Sequence, residues 1–371
     1  MKVLKQIHTA KPLGDAYKGR RVFLTGATGF KGSWLAWWLT QLGAEVHGYS
    51  LAPEQKLGPY VRGELQKVMR HDTEDIRDSA ALERAVRLAR ADFVFHLAAQ
   101  PIVRASYKNP AETFATNVMG TVHLLEAVRK AGRPCAVVVV TSDKCYENKE
   151  WDYSYRENDA MGGFDPYSAS KGCAELVTAS LRRAMLAPLG IQVATARAGN
   201  VIGPGDWAAD RIVPDAIRAF HAGKSLLVRN PSAVRPWQHV LEPLAGYLTL
   251  GASLASKNGP GYAEGWNFGP GADGPQPVGR LVDELARTWG GAAWHAPQLK
   301  GQPHEAGLLR LNIEKSLARL TWRPVWNFRQ TVTHTVRGYR SFLDASKDAR
   351  AIRAIMDAEI RAYERDAAKL N

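Results

Sequence analysis

Apolar residues in this chain fall alternately into short β-branched runs and into stretches with helical spacing. Val22–Leu24 reads as a buried strand, and Trp34, Leu35, Trp38, Leu39 and Leu42 then recur at helical spacing as far as Gly43, which fits a helix C-cap. Glu45–Tyr49 is a second strand. Asp78 is placed to cap a helix running to Ala91, and Phe93–Ala99 is a strand that ends in small residues. Pro110 opens a helix to Lys130 that Gly132 closes, and Ala136–Val140 is a continuous β-branched run of the kind parallel sheets bury on both faces. A helix from Pro166 to about Leu186 and a strand Ile191–Ala196 continue the series. The alternation predicts an α/β fold with a doubly wound parallel sheet.

Beyond Ala196 the pattern breaks up at Gly203-Pro-Gly205, Pro214, Pro231, Pro236, Gly259-Pro-Gly261 and Gly269-Pro-Gly271. Shorter elements are expected there, in a smaller C-terminal α/β domain. Val240–Ser256 reads as a helix and Trp266–Phe268 as a strand that return to the sheet, and Val278–Trp289 and Ile313–Leu320 as further helices. The expected division is a sheet domain at 1–200 plus roughly 236–272, a second domain at 201–235 and 273–345, and a C-terminal helix at 346–371. Ile352, Ile355, Met356, Ile360 and Tyr363 share one face of that helix, which packs either on its own subunit or on another. Residues 1–20 are polar without a period and read as an extension.

The chain has 371 residues, 45% of them apolar and 23% charged, which suits roughly two ordinary globular domains. No apolar run approaches the ~20 residues of a membrane span, and the N-terminus lacks a signal-peptide core, so no membrane association and a cytoplasmic location are expected. Cys135, Cys145 and Cys173 are too scattered for a disulfide framework, and no metal-ligand spacing occurs. The net charge of +13 is spread along the chain without a dense basic arm, so nucleic acid is not the expected partner. An anionic small substrate accounts for the sign equally well.

The first strand runs into Thr25-Gly-Ala-Thr-Gly-Phe-Lys-Gly32 and then into a helix. Gly26 permits the tight turn, Gly29 lets backbone approach a pyrophosphate, and Gly32 lets the helix sit close to the sheet with its amides toward phosphate. That is a dinucleotide cradle of the Rossmann kind. The rival phosphate loop G-x-x-x-x-G-K-S/T does not fit, because Lys31 precedes Gly32. The acidic residue expected at the second strand's end to hold the adenosine ribose is replaced by Tyr49-Ser50-Leu51, with Glu54 as a late substitute. Ser33 to Val61 holds no arginine and only Lys56 as a cation, so NAD is expected over NADP. His96, inside an apolar run, reads as a core histidine.

Tyr167 and Lys171 stand at i and i+4, one turn apart on a helix face, where an ammonium can lower the pKa of a phenol toward that of a general base. They follow a strand that ends Thr141-Ser142-Asp143-Lys144. Together these motifs resemble the extended short-chain dehydrogenase/reductase family over most of the chain. The resemblance implies a triad of Ser142, Tyr167 and Lys171, and a cofactor site that includes Gly26, Thr28, Gly29, Phe30, Lys31, Gly32, Tyr167 and Lys171. It places Leu97-Ala98-Ala99 under the nicotinamide ribose, Asp75-Ile76 near adenine, and Asn117 as the family's helix asparagine.

Within the family, Gly29–Trp34, Thr141–Tyr146 and Arg235-Pro-Trp-Gln-His-Val240 are similar to dehydratases of nucleotide-activated sugars, and among those to enzymes acting on CDP-glucose. The implied activity is that of an NAD-dependent lyase. A 4-ketosugar has an acidic proton at carbon 5 and a poor leaving group at carbon 6, so elimination needs a base and an acid; Lys144 and Asp143 are the candidates, with pKa values shifted down and up by burial. A nucleotide-sugar 4-epimerase is the alternative reading. Asn200 and Arg235 match positions that hold the diphosphate, Arg211 and Arg310 either join them or lie on the surface, and Trp237 and His239 either line the site or pack. The resemblance also implies a homodimer or homotetramer.

Overall fold

Seven strands pair in parallel into one sheet: β1 (Arg21–Thr25), β2 (Glu45–Ser50), β3 (Arg70–Thr73), β4 (Phe93–His96), β5 (Ala136–Val140), β6 (Gln192–Ala198) and β7 (Gly265–Phe268). Their spatial order is β7-β6-β5-β4-β1-β2-β3, and the order reverses beside β1. This computed structural model describes residues 13–297, 307–320, 322–345 and 348–370. Every side chain of β5 is buried, as its β-branched sequence requires of a central strand with both faces covered. The helices Phe30–Gln41 and Leu241–Leu254 bury one face of the sheet, and Ser79–Ala89 and Gly120–Ala131 bury the other. The doubly wound α/β architecture is the one the alternation predicts.

Beyond β6 the chain forms three two-stranded pairings: Val201–Ile202 with Gln238–His239, Val234–Pro236 with Pro275–Pro277, and Leu226–Leu227 with Trp294–His295. A separate apolar cluster gathers Val213, Ile217, Phe220, Leu281, Leu285, Val332 and Tyr339 from the helices Ile212–His221, Val278–Trp289 and Phe328–Asp344. The C-terminal helix Ala349–Ala368 lies on its own subunit: Ile352, Met356, Ile360 and Tyr363 are buried in the main core, while Ile355 is only partly covered.

Several boundaries differ from expectation for identifiable reasons. The helix expected from Pro110 to Lys130 is interrupted by a π-helical turn at Ala115–Met119, and the one expected to Leu186 becomes π-helical at Arg182–Leu186. The strand expected through Ala99 stops at His96, because Leu97 and Ala98 wrap over Gly26. Of the supposed polar extension, residues 1–12 lie outside the described residues, but Leu13–Tyr17 is a short helix whose Tyr17 is fully buried. The Tyr17 hydroxyl donates to the Leu248 carbonyl at 2.7 Å, and its ring lies against Phe93 and Phe95.

Candidate active site

The turn after β1 is built as a cradle. Gly26 has φ +74°, and a Cβ there would lie 2.7 Å from the Ala98 nitrogen and the Leu97 carbonyl carbon. A Cβ on Gly32 would lie 2.0 Å from the Gly26 oxygen, so helix and turn touch backbone to backbone. Gly29 differs: it is exposed, and a Cβ there would meet nothing closer than the Gly26 oxygen at 3.4 Å. Gly29 is also the N-cap of Phe30–Gln41, and no side chain caps that helix. Its first-turn amides are left for an anion, which is the fit a dinucleotide pyrophosphate requires.

Around the cradle, the Thr28 amide donates to Ser50 Oγ at 3.3 Å, and Ser50 Oγ is hydrogen-bonded to His71 Nε2 at 2.9 Å at the position where an acid would hold ribose. Ile76 is buried against Gly120, and Asp75 is tied to Arg77, whose side chain holds the carboxyl below its ordinary value. Asn117 clamps the segment after β4 by accepting from the Gln100 amide at 2.8 Å and donating to the Gln100 carbonyl. Its amide also reaches Ser170 Oγ on the Pro166–Leu181 helix at 2.8 Å. His96 is a core residue, bonded to Thr25 and Thr121, and burial lowers its pKa to about 3.

A cleft of 920 Å³ opens beside the cradle, within the range of small-molecule sites. It is lined by Phe30, Lys31, Ser142, Asp143, Lys144, Tyr167, Asn200, Arg211, Arg235 and Trp237, among others. Asp165 caps the Pro166–Leu181 helix by accepting from the Ser168 amide, which sets Tyr167 at the cleft wall in the first turn. Ser142 faces the Tyr167 phenol closely enough to oppose the effect of burial on it. Ser142 Oγ donates to Asp143 Oδ1 at 2.9 Å and accepts from the Lys144 amide, so the strand end and the helix meet at this serine.

The electrostatics correct one expectation and meet another. Burial pushes the Tyr167 phenol up to about 12 against the opposing influence of Ser142, and burial lowers Lys171 to about 8. Desolvation is the leading cause at the phenol, where the helical spacing predicts the lysine to act. Asp143 moves as elimination requires: burial raises its pKa against the opposing charges of Lys144 and Arg235 and the Ser142 hydrogen bond, and its Oδ2 is buried without a hydrogen-bond partner. Lys31, expected only as part of the cofactor loop, lines the cleft and reaches the Tyr247 hydroxyl at 3.4 Å. Burial and the charges of Lys171 and Arg211 lower it to about 7.

The family model described as GDP-mannose 4,6 dehydratase matches residues 23–251. The chain belongs to this family. Among curated proteins, the CDP-glucose 4,6-dehydratase of Salmonella typhimurium is 46% identical over 332 residues, covering 88% of this chain and 92% of the relative. A solved dTDP-glucose 4,6-dehydratase from Streptomyces venezuelae with NAD and TYD bound superposes with TM-score 0.72 at 26% identity, covering 86% of this chain and 97% of the other. An epimerase from Methanothermobacter thermautotrophicus reaches TM-score 0.77 at 23% identity, covering 90% and 96%, a likeness of fold alone.

The other residues singled out in this dehydratase-family chain are not all brought together. Arg211 is held by Asp206 at 2.8 Å, lines the cleft and acts electrostatically on Tyr167 and Lys31. Arg235 is buried in the cleft wall, where it donates to the Val234 carbonyl and influences Asp143. Leu309 lines the cleft and its neighbour Arg310 does not. Trp237 lines it, with Nε1 donating to the Gln276 carbonyl, whereas His239 is fully buried against Trp326. Tyr339 escapes sequence reasoning altogether, because it is far from the motifs in the chain and reaches the cleft only through the fold, and Asp206 ends the segment that holds Asn200, where the sequence assigns it no role of its own.

No helix among the described residues is long and apolar enough to cross a membrane, and no group of His, Cys, Asp or Glu among them is arranged to hold a metal.

Proposed function

We propose that this protein is a CDP-glucose 4,6-dehydratase, a lyase that converts CDP-glucose to CDP-4-keto-6-deoxyglucose and water, with NAD held by the cradle at Gly26, Gly29 and Gly32. The observation that carries the reading is Asp143, a buried carboxyl with one oxygen unpartnered, in the same cleft as Lys144 and Tyr167, with Lys171 buried one turn further along the Tyr167 helix. The identity of 46% across most of the chain to a CDP-glucose 4,6-dehydratase supports the substrate. Bound NAD supplies the hydride acceptor for carbon 4, returns the hydride at carbon 6, and brings a positive ring charge that favours an anionic neighbour.

The protein's groups then divide the proton work. Tyr167 takes the proton of the 4-hydroxyl, with Ser142 aligning the phenol and Lys171 on the next helical turn. Lys144 takes the carbon-5 proton and Asp143 gives its proton to the leaving oxygen at carbon 6, so water departs as the carbon 5–carbon 6 double bond forms; the proton held by Lys144 goes back to carbon 5 when the hydride is returned at carbon 6. Asp143 suits the acid's role because burial favours its protonated form. Asn200 at the end of the sheet domain expected at 1–200, and Arg211 and Arg235 in the second domain expected at 201–235 and 273–345, grip the diphosphate from the cleft wall. Exposed Met119, Leu176 and Met185 support pairing of two copies along the helices that carry or adjoin them, and the cytoplasm is the compartment we infer.

A 4-epimerase would share Tyr167, Lys171 and the diphosphate grip but would have no use for a raised carboxyl beside Lys144. Incubation with CDP-, dTDP-, UDP- and GDP-glucose and identification of products by mass tests the reading. Loss of one water from CDP-glucose is expected. Comparable loss from dTDP-glucose overturns the base assignment, and a product differing only in stereochemistry overturns the lyase assignment.

A further inference from the structure

Beneath the cleft floor lies a saturated ion pair that the proposed chemistry does not use. Glu175 and Arg197 are both buried, and each carboxylate oxygen of Glu175 accepts two hydrogen bonds: Oε1 from Thr141 Oγ1 and Arg197 Nε, Oε2 from Thr195 Oγ1 and Arg197 Nη2. The third guanidinium nitrogen, Nη1, donates to the Tyr146 hydroxyl at 2.7 Å and to the Glu157 carbonyl at 2.9 Å. The Tyr146 hydroxyl in turn donates to Asn267 Oδ1 on β7 at 2.7 Å. Charge-assisted and fully satisfied, such a network is rigid, and removing one member leaves a buried charge without its partner.

Its placement is what matters. Thr141 and Tyr146 are the two ends of the segment that carries Ser142, Asp143 and Lys144, and both ends are tied by side-chain bonds to the same pair. Glu175 itself sits on the helix of Tyr167 and Lys171, one turn past the lysine. Tyr167 and Lys171 need no help from the pair, because their helix is fixed by the Asp165 cap and by Asn117 through Ser170.

We propose that Glu175 and Arg197, acting through Thr141 and Tyr146, are positioning residues for elimination: they hold the Asp143–Lys144 segment in register with the Tyr167 helix. The proposal rests on the dehydratase reading for its kinetic consequence and on the hydrogen bonds alone for its structural one. An acid and base on a short loop have to meet their carbons within a fraction of an ångström, and a shift of about 1 Å can cost about a hundredfold in rate.

Tyr146→Phe is the variant of choice, because it removes the distal tie yet leaves the Glu175–Arg197 pair intact and Arg197 Nη1 still bonded to Glu157. Glu175→Gln, which orphans a buried guanidinium, is the harsher companion. In the NAD-loaded full chain given CDP-glucose in a single turnover, Tyr146→Phe should keep its NAD and the parent's rate of nicotinamide reduction. It should lose water about tenfold more slowly or worse, so that reduced nicotinamide builds up. Equal slowing of both halves, or water loss at the parent's rate, overturns the proposal.

Hydrogen exchange of the substrate-free protein reads the same device without any turnover. Faster exchange across 142–146 with unchanged exchange across 167–171 supports it, and unchanged exchange in both overturns it. A parent that releases no water from CDP-glucose overturns the dehydratase reading instead, and the exchange result still decides the positioning role.

Discussion

Substituting alanine for Gly32 and for Gly29, three residues apart in one turn, should damage the protein in two different ways. At Gly32 the new Cβ would stand 2.0 Å from the Gly26 oxygen and 2.8 Å from its carbon, both backbone atoms that no rotamer change can move. A contact of at least about 3 Å requires the turn and the helix to part by about 1 Å, and overpacking of this kind costs about 1–3 kcal/mol, occasionally more. The same displacement pulls the first-turn amides out of line, so cofactor affinity falls along with stability. At Gly29 the Cβ would meet only the Gly26 oxygen at 3.4 Å, an ordinary contact. The fold should lose about 1 kcal/mol or less, the scale of a weaker helix N-cap.

That Cβ nevertheless occupies the open side of the cradle, where backbone has to approach the pyrophosphate. NAD affinity should drop at least about tenfold, near 1.4 kcal/mol. Thermal unfolding with and without NAD separates the cases, since a ligand at about 100 times its Kd stabilises by about 2.7 kcal/mol. The parent should show the full NAD-dependent rise in Tm. Gly29→Ala should stay close to the parent's basal Tm and lose about half of the rise or more, because the same NAD then stands at about 10 times its Kd or less and stabilises by about 1.4 kcal/mol at most, and Gly32→Ala should fall in both basal Tm and rise. A Gly29→Ala protein that responds to NAD like the parent would refute the placement of the pyrophosphate, and a Gly32→Ala protein of undiminished stability would refute the packing argument.

Three other expectations follow from the same geometry. In single turnover with CDP-glucose, Tyr167→Phe should form no reduced nicotinamide, whereas Asp143→Asn should accumulate it, and each should turn over about a hundredfold more slowly; normal turnover of Asp143→Asn would leave that carboxyl structural. With no arginine between Ser33 and Val61, calorimetry should find NAD bound at least about tenfold tighter than NADP, and equal affinities would contradict the cofactor assignment. Burial raises the Glu242 carboxyl from 4.5 to about 7 against hydrogen bonds from the Trp326 and Val325 amides and the Tyr363 hydroxyl. Because the folded value lies above the unfolded one, its contribution is complete below about 4.5 and is lost as pH rises through about 7, on the order of 3 kcal/mol in all. Glu242→Gln should therefore show a flatter decline of stability across that window in denaturant titrations, and a slope equal to the parent's would count against it.

Chemistry that depends on neighbours in sequence was the easiest to read. Gly26, Gly29 and Gly32, the Tyr167–Lys171 pair and the end of β5 are local patterns, and the structure brings Ser142, Asp143, Lys144 and Tyr167 to one cleft. What stayed hidden depends on partners distant in the chain. β3, Arg-His-Asp-Thr, carries no apolar alternation because it is the sheet's edge strand. Helix Phe328–Asp344 did carry a signal, the capping box of Asn327 and Gln330, but its apolar face shows only against Val278–Trp289. Burial is the leading influence on the pKa of Tyr167, and burial is a property of the fold that helical spacing does not report. Lys31 reads as part of the cofactor loop, and that it also lies within electrostatic reach of Lys171, Arg211 and Asp143 is something only the fold shows.

The helix behind the cradle shows how one end of the chain depends on the other. Phe30–Gln41 has no polar stripe, and nine of its twelve residues are buried, which a surface helix with one covered face cannot achieve. One side lies on the sheet, and the other is closed by the C-terminal elements. Trp34 stacks on Phe342 and donates to the Pro204 carbonyl, Trp37 Nε1 donates to Asp357 at 2.8 Å, and Trp38 Nε1 donates to Glu364 at 3.1 Å. Each indole thus buries its ring and finds an acceptor for its N–H, two of them on the final helix. That helix is in turn fixed by the Tyr363 hydroxyl on Glu242, whose carboxylate also takes the Val325 and Trp326 amides. The cofactor turn is therefore braced from behind by residues more than three hundred positions later in the chain, and the tryptophans that look excessive for a single amphipathic helix are what that second contact requires.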